Sequence, residues 1–362
     1  MHLVIDTYTE KLPHVDGTAD GLLGAEYDTA TGRFGAVTPL ATARNPSYAA
    51  FDHTGRRLYV VHETERFEGA TGGGVTAYRH DPATGALDEL NSRPSGGDAA
   101  CHLALDPSGR FVVVANYGGG SITVFPVAPD GSLGESSDTV HHRGSSIHPD
   151  RQTGPHPHMI GFDPVTGDLL VPDLGTDEVL SYRLGPGGRL TARPEATIPV
   201  APGAGPRHLA FHPDGEHLFV VNELDSTVLT ARRGGETFLP VAVTATLPNG
   251  FTGHNQASAI RVTPSGGHVL VANRGHDSLA VLRVDGTAGE LTLVRAEPTL
   301  GREPRDFTLT PDGRFAVVAD QDSDLLVSFR LDETASTLSR VDTVTAATPA
   351  SLLFDLPPRT GP

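Results

Sequence analysis

The stretch GPRHLAFHPDGEHLFVVNE, residues 205–223, has the pattern that decides the fold of this chain. Two short apolar segments, each typical of a β-strand, flank a turn that contains Asp and Gly. A turn of this kind between two apolar segments indicates an antiparallel β-hairpin. Charged residues stand before the first strand and after the second. The stretch is therefore predicted to be a hairpin with a polar group at its open end.

The same pattern recurs along the chain, which indicates an internal repeat. Equivalent units start near positions 46, 100, 157, 206, 257, 304 and 349, so they are 54, 57, 49, 51, 47 and 45 residues apart. They include NPSYAAFDHTGRRLYVVHE, AACHLALDPSGRFVVVANY, HPHMIGFDPVTGDLLVPDL, QASAIRVTPSGGHVLVANR and EPRDFTLTPDGRFAVVADQ. A third and usually a fourth strand segment follow each hairpin. Four strands in every ~40–50 residues are typical of a β-propeller blade.

The last unit, TPASLLFD, stops after one strand, and the N-terminal segment supplies what it lacks. MHLVIDTY, GLLGAEYD and FGAVTPLAT resemble the second, third and fourth strands of a blade. We therefore predict an all-β protein, a seven-bladed β-propeller with its last blade closed by N- and C-terminal strands. Closure removes the unpaired edges of an open sheet. No linker interrupts residues 1–362, which are predicted to form one domain.

The bulk composition restricts the partners of the chain. A formal net charge of −17 argues against a nucleic-acid partner, because phosphate binding needs a basic surface. No apolar run reaches the ~18 residues that a membrane helix needs, and the N-terminus lacks the pattern of a signal peptide. The single cysteine, Cys101, fits a reducing compartment. We expect a cytoplasmic protein without nucleic-acid or membrane partners, a monomer with a homodimer as the alternative.

The polar residues of the repeat are predicted to meet at one end of the propeller. The first strand of each blade lines the central channel, and the Gly-containing turns lie together at one end of the disc. Residues before first strands and after second strands then converge at the other end, an arrangement typical of a ligand site. The longest connection, residues 134–155, leads there with Arg151 and Gln152. The other candidates are His156, His158, Arg207, His208, Glu223, Asn273, Arg274 and Arg305.

These polar residues also have a structural interpretation. Asp173, Asn116 and Asp320 follow second strands, where Asp and Asn often hydrogen-bond turns, and we favour that role for them. For Arg207 and Glu223 the structural alternative is a salt bridge without function. A functional role is favoured for these two, because buried charge is unfavourable unless it is paired or used.

An ordered set of motifs resembles a known family. The motifs are HRGSSIHPDRQTGPHPH, PDLGTDEV, PGAGPRHLAFHPDG, VNELDSTV, ANRGHDSL and PRDFTLTPDGRF. They are similar to those of the seven-bladed-propeller lactonases, which include bacterial cycloisomerase-2-type 6-phosphogluconolactonases and fungal 3-carboxy-cis,cis-muconate lactonising enzymes. The resemblance covers nearly the whole chain. It departs at Asp6, where the family usually has Gly.

The resemblance implies a site and a substrate class. In the muconate enzymes a His, a Glu and two Arg at the channel mouth are the proposed catalytic group, and His158, Glu223, Arg207 and Arg274 stand at the matching positions. The expected substrate is a small anionic lactone, foremost 6-phosphogluconolactone, hydrolysed to 6-phosphogluconate. The resemblance implies no metal and no other cofactor.

A lactone hydrolase must activate water and stabilise an oxyanion. His158 or Glu223 is the expected general base, and Arg207 and Arg274 are expected to hold the oxyanion. Two other functions stay open: a cycloisomerase or lactonase acting on another carboxylated, muconate-type metabolite, and a non-catalytic binding propeller. The residues expected to bind the remainder of the substrate are Arg151, Gln152, His156, His208, Asn273 and Arg305.

Overall fold

Antiparallel pairing of the repeated hairpins builds seven sheets that surround a central channel. The computed structural model describes residues 1–286 and 289–355. Within this part of the chain, six sheets pair their four main strands in sequence order, and in the seventh a C-terminal strand precedes three N-terminal ones. At five of the seven junctions the first strands of neighbouring sheets pack against one another. This arrangement confirms the predicted seven-bladed β-propeller. The predicted domain extends to residue 362, and residues 287–288 and 356–362 lie outside the described residues.

We number the blades 1 to 7 in chain order from the hairpin at residues 45–63, with the strand nearest the channel given first. Blade 1 consists of Pro46–Phe51, Arg57–His62, Gly74–His80 and Leu87–Pro94, and blade 2 consists of Ala100–Leu105, Phe111–Asn116, Ser121–Pro126 and Asp138–His141. Blade 3 consists of Gly161–Phe162, Leu169–Asp173, Glu178–Leu184 and Leu190–Ala192, with Ile198–Pro199 also paired to the third strand. Blade 4 consists of Pro206–Phe211, His217–Asn222, Thr227–Gly234 and Thr237–Ala245, and blade 5 consists of Gln256–Val262, His268–Arg274, Ser278–Asp285 and Glu290–Pro298. Blade 6 consists of Pro304–Leu309, Phe315–Asp320, Leu325–Asp332 and Thr337–Thr345. Blade 7 consists of Pro349–Phe354, His2–Thr7, Gly21–Asp28 and Arg33–Thr42. The connections contain the hairpins Lys11–Leu12 with Val15–Asp16 and Arg66–Phe67 with Ala70–Thr71, and the 3-10 turns Pro194–Ala196 and Gln321–Ser323.

Blade 7 joins the two ends of the chain, as the sequence predicts. Its channel strand Pro349–Phe354 pairs antiparallel with His2–Thr7, and this register sets Leu352 opposite Ile5. Both side chains are buried in an apolar cluster that includes residues of blade 6. Burial of each such side chain stabilises the fold by about 1.5–3 kcal/mol. The pairing therefore closes the ring with apolar contacts as well as hydrogen bonds.

The second strands form the most deeply buried layer of each blade. All six residues of Phe111–Asn116, His217–Asn222 and Phe315–Asp320 are buried. Each blade is covered on both faces by its neighbours, which explains the continuous apolar runs in these strands. The polar residues at the strand ends are buried with them. They therefore need hydrogen-bond or ion-pair partners inside the protein.

Blade 3 departs from the repeat at its first strand. The sequence predicts a full strand there, but only Gly161–Phe162 pairs with the second strand, and Pro157 makes a single isolated bridge to Asp173. The amide of Ile160 donates instead to Nδ1 of His102 in blade 2, at 3.3 Å. The ladder is interrupted where this contact to the neighbouring blade replaces pairing with the second strand.

The long connection between blades 2 and 3 is shorter than the sequence indicates. The predicted excursion at residues 134–155 contains Asp138–His141, which is the fourth strand of blade 2. Only the residues after this strand are free to cross the end of the disc. Apolar residues are scarce in this fourth strand, and for that reason the sequence pattern did not separate it from the connection.

A buried carboxyl group in the closing blade makes the stability of the fold depend on pH. Asp6 is fully buried, and Ser351 donates a hydrogen bond to its Oδ2. Burial raises the pKa of Asp6 from 3.8 to about 8, the Ser351 hydrogen bond opposes this rise, and nearby Asp306 adds to it. Because the pKa of Asp6 is higher in the folded state, the protonated Asp6 stabilises the fold fully at pH values below its ordinary pKa of 3.8. This stabilisation is lost as the pH rises through about 8.

We expect Asp6→Asn, which cannot ionise, to reduce this pH dependence. Between about pH 5 and about pH 9, the free energy of unfolding of the wild type should fall by on the order of 1–3 kcal/mol more than that of the variant. Urea denaturation at several pH values measures the difference. Asp20→Asn, at an exposed position, serves as the control and should keep the wild-type slope. An equal slope in Asp6→Asn and the wild type would contradict the assignment.

Candidate active site

Three guanidinium groups converge on one buried carboxylate at the open end of the hairpins. Glu223 follows the second strand of blade 4 and is 2% exposed. Its Oε1 accepts a hydrogen bond from Nη2 of Arg151 at 2.6 Å. Its Oε2 lies 3.0 Å from Nε of Arg207 and 2.9 Å from Nη2 of Arg274. We call these four residues the arginine cluster.

The arginine cluster holds its carboxylate ionised and keeps an excess of positive charge. Burial alone would raise the pKa of Glu223, but Arg274, Arg151 and Arg207 together hold it well below its usual range. Burial, with repulsion from Arg274, lowers the pKa of Arg207 to about 10, which leaves it protonated at neutral pH. One negative charge therefore faces three positive charges. The cluster is suited to attract an anion, and Glu223 is a poor proton acceptor.

Hydrogen-bonding capacity remains free within the cluster. The contact between Arg207 and Glu223 is short, but Nε of Arg207 has no hydrogen-bond partner among the described residues. The contact is therefore an ion pair in which the N–H does not point at the oxygen. Arg207 is 3% exposed, so this donor is also withheld from bulk water. A buried, unused donor next to an excess of positive charge favours the binding of an oxyanion.

Three histidines lie together on the channel side of the cluster. The ring of His208 packs edge to face on His158 at 5.3 Å and on His102 at 5.6 Å, measured between centroids. Burial lowers the pKa of each ring well below 6.5, and the nearby Arg207 lowers all three further. These imidazoles are neutral at physiological pH, because a charged ring would be both desolvated and next to cations.

A second buried carboxylate, Glu63, faces the same space from blade 1. The hydroxyl of Tyr8 donates to its Oε2 at 2.8 Å. Arg305 lies 3.9 Å from Oε2, with its guanidinium 4.9 Å from the centre of the Tyr8 ring. Nε2 of His14 is 3.9 Å from Oε1. Sequence reasoning missed Glu63 as a site residue, although it occupies the same position in its repeat unit as Glu223.

The mouth of the site is formed by the long connection and by blade 2. His156 stacks on the ring of Tyr117 with a centroid distance of 4.5 Å. The hydroxyl of Tyr117 accepts a hydrogen bond from Nη2 of Arg151 at 3.2 Å. Of the three guanidiniums in the cluster, that of Arg151 is the most exposed, with 31% of its side chain accessible. Tyr117 therefore positions the arginine that an incoming ligand meets first.

The structure does not bring two of the predicted binding residues to the cluster. The amide of Gln152 donates to the carbonyl of Leu174 and to Oδ1 of Asp177, both at 2.8 Å. It thereby anchors the long connection on blade 3. The amide of Asn273 is likewise engaged with the side chain and carbonyl of Thr246. Both side chains are fully buried and serve the packing of connections.

One group of His and Asp side chains among the described residues has metal-ligand chemistry, and it lies away from the cluster. His212, Asp214 and His217 surround the turn of blade 4 at the opposite end of the disc. Oδ1 of Asp214 accepts the amide of Glu216 at 2.7 Å, and its Oδ2 lies 2.9 Å from Nδ1 of His217. The carboxylate therefore already has partners that hold the turn.

The chain is similar in sequence and fold to known proteins. A family model described as "Lactonase, 7-bladed beta-propeller" matches residues 2–354. The chain belongs to this lactonase family. The lactonase is 38% identical over 306 residues to a 6-phosphogluconolactonase of Bacillus subtilis, a match that covers 84% of this chain and 83% of that protein.

Solved structures agree with the family assignment. The periplasmic gluconolactonase of Pseudomonas aeruginosa is 35% identical to the lactonase with a TM-score of 0.90, and the match covers 98% of this chain and 99% of that one. A putative 6-phosphogluconolactonase of Bacteroides fragilis is 31% identical with a TM-score of 0.88, over 97% of each chain. The resemblance seen in the sequence motifs is confirmed.

Removal of the central carboxylate should expose the charge imbalance of the arginine cluster. We expect Glu223→Gln to lower the free energy of unfolding by about 3–5 kcal/mol, because three buried guanidiniums lose their counter-ion. Inorganic phosphate should restore part of this loss, and it should stabilise the variant more than the wild type. Thermal unfolding with and without phosphate measures both effects.

The control for this experiment is Glu236→Gln. Glu236 also contacts two arginines, Arg183 and Arg193, but its side chain is 66% exposed. Removal of a surface ion pair should change stability by about 1 kcal/mol or less. Equal losses in the two variants would contradict the view that Glu223 balances buried charge.

Proposed function

We propose that this lactonase hydrolyses 6-phosphogluconolactone to 6-phosphogluconate. The observation that carries the proposal is the arginine cluster, which concentrates positive charge at one mouth of a chain whose formal net charge is −17. A phosphorylated sugar lactone offers both an anionic group and a carbonyl oxygen to such a cluster. The name of the Bacillus subtilis relative supports the same substrate.

The arginines have different roles in the proposed reaction. Arg207 and Arg274 are buried, and they stabilise the oxyanion that forms when water attacks the lactone carbonyl. Arg151 is more exposed and binds the distal phosphate, for which the planar guanidinium is well suited. Glu223 keeps the three guanidiniums together and does not act as a base, because its oxygens are already engaged. This differs from the role expected for Glu223 from the sequence.

An unphosphorylated aldonolactone is the second candidate substrate. The solved structure from Pseudomonas aeruginosa is described as a gluconolactonase, and it matches nearly the whole chain. The two substrates differ by a phosphate group, which Arg151 contacts in the proposed complex. Comparison of 6-phosphogluconolactone with glucono-1,5-lactone therefore separates the two candidates.

We expect the wild type to hydrolyse freshly prepared 6-phosphogluconolactone well above the rate in buffer. Arg207→Ala and Arg274→Ala should each lower kcat/KM by ~10²–10³, because each removes a group that stabilises the oxyanion. Arg151→Ala should raise KM for the phosphorylated lactone and have little effect on glucono-1,5-lactone. Continuous pH-stat titration of the released acid measures all of these rates.

The matched control is Arg189→Ala, which removes the same charge from a side chain that is 77% exposed and distant from the cluster. It should have wild-type kinetics. A wild type that is no faster than buffer on the phosphorylated lactone would overturn the proposed substrate. Activity on glucono-1,5-lactone alone would then favour the second candidate.

We further propose that the lactonase is a cytoplasmic, one-domain monomer. Its single cysteine, Cys101, is a buried free thiol, which is compatible with a reducing compartment. Separately, no helix in the described part of the chain is long and apolar enough to cross a membrane. Cell fractionation and light scattering test the proposal. Release of the protein with the periplasmic fraction, or a mass of two chains, would contradict it.

A further inference from the structure

A small polar cavity lies against the arginine cluster at the centre of the propeller. Its volume is about 20 Å³, and residues from six of the seven blades line it. A cavity needs about 10–15 Å³ to hold one water molecule, so this one has room for about one. Glu63, His158, Arg207, His208 and Arg305 are among the lining residues. The cavity therefore combines the size of a water molecule with several polar groups in its walls.

An unused donor on one wall of this cavity indicates what the cavity binds. Nη1 of Arg207 donates to Nε2 of His208 at 3.4 Å, and arginine can only donate. The neutral His208 ring must therefore have its hydrogen on Nδ1. This Nδ1 is buried and has no partner among the described residues. A buried N–H requires an acceptor, and a water oxygen in the cavity is a suitable one.

Three of the groups that line the cavity are poor proton acceptors. Burial, reinforced by Arg207, lowers the pKa of His158 well below its usual value, so the ring resists protonation. Burial also raises the pKa of the Cys101 thiol, reinforced by Glu63, so no thiolate is available there. His208 already accepts from Arg207 at its one free nitrogen. None of these three groups is suited to take a proton from water.

Glu63 differs from the other carboxylate of the site in its hydrogen bonding. Among the described residues its carboxylate accepts one hydrogen bond, from Tyr8, and its nearest cation, Arg305, is 3.9 Å away. The His14 ring is also 3.9 Å away, but burial lowers the pKa of His14 to about 4, so the ring is neutral. Glu223 is instead held by guanidinium nitrogens at 2.6 to 3.0 Å and does not line the cavity. Glu63 therefore has lone pairs available beside the proposed water, and Glu223 does not.

We propose that Glu63 is the general base of the hydrolysis and that it acts on a water molecule held in this cavity. The water oxygen forms a bond to the lactone carbonyl carbon while one water proton moves to the Glu63 carboxylate. Arg207 stabilises the oxyanion. The intermediate then collapses, the ester C–O bond breaks, and Glu63 returns the proton to the departing ring oxygen. The new carboxylic acid loses its remaining proton to solvent.

The proposal rests on the lactone hydrolysis proposed above, and it predicts a specific pH dependence. Glu63 must be ionised to act, so kcat/KM of the wild type should fall on the acid side. In the described residues, the titratable and charged groups that face Glu63 or share its cavity are Tyr8, His14, Tyr48, Cys101, His158, Arg207, His208, Arg305 and Asp306. Of these, Asp306 is the other carboxyl group, and it pairs with Arg261 at 3.0 Å. Asp306→Asn should therefore keep the acid limb.

The test compares variants of Glu63 on freshly prepared 6-phosphogluconolactone. Glu63→Gln keeps the shape of the side chain and should lower kcat by ~10²–10⁴ with KM little changed, and the acid limb should disappear. Glu63→Ala should be equally slow, and added formate should restore part of kcat by supplying a carboxylate. Glu65→Gln, two residues away and exposed, is the matched control and should behave as the wild type.

The outcomes distinguish an error in the proposed substrate from an error in the proposed role of Glu63. A wild type without activity on the lactone overturns the proposed function itself. An active wild type whose Glu63→Gln variant keeps kcat and the acid limb overturns the role of Glu63 alone. Loss of kcat in His158→Gln with an unaffected Glu63→Gln would make His158 the base. If Glu63→Gln fails to fold, Glu63→Asp replaces it in the test, because aspartate retains the carboxylate. Glu63→Asp should keep a higher kcat than folded Glu63→Ala measured without formate. Equal rates of these two variants would contradict the proposal.

Discussion

The antiparallel pairing of Pro349–Phe354 with His2–Thr7 is the contact on which the rest of the structure depends. It places blade 7 between blades 6 and 1 and converts seven hairpin repeats into a ring. Only in the closed ring does Arg305 of blade 6 reach Glu63 of blade 1, with Tyr8 of blade 7 between them. Closure also leaves no exposed edge in the inner strands, so their ends are free to carry function.

Closure of the ring concentrates charged side chains at its buried centre, where unpaired charge is unfavourable. The open ends of the hairpins meet at the buried centre, and several of them carry guanidinium groups. Two carboxylates, Glu223 and Glu63, offset part of this positive charge. The histidines adapt in the opposite way, because burial and the adjacent Arg207 favour their neutral form. The site therefore keeps an excess of positive charge for an anionic substrate and has neutral rings around it.

The features that local sequence determines could be predicted, and those that depend on distant contacts could not. Turn chemistry and repeat spacing are local, so the seven blades and the closing strand pairing followed from the sequence. The first strand of blade 3 is interrupted after Pro157, where the amide of Ile160 donates to His102 of another blade. The direction of a side chain is equally hard to predict. Gln152 and Asn273 occupy promising positions in the chain, but their amides turn into the connections.

The role of Glu63 is another feature of the site that the sequence alone could not predict. Its position in the repeat unit equals that of Glu223, and the sequence alone does not distinguish their roles. The distinction arises from their neighbours: three guanidiniums surround one carboxylate, and a tyrosine hydroxyl from the N-terminal segment contacts the other. Proton affinity is set by such contacts, which come from blades that are distant in sequence.

The two ends of the channel show why the reaction belongs at the end with less space. A cavity of about 640 Å³ opens at the turn end, and it is lined mainly by apolar side chains such as Phe51, Phe211 and Phe354. These residues stand at the ends of first strands, where the repeat places an apolar residue just before the turn. The large cavity has volume but few polar groups to bind an anion or activate water. At the opposite end the free space is small and several charged and polar side chains line it, so a lactone must stay at the mouth while a single water molecule occupies the interior. This separation places the nucleophile on the channel side of the carbonyl and the guanidiniums around its oxygen, which is the arrangement that hydrolysis requires.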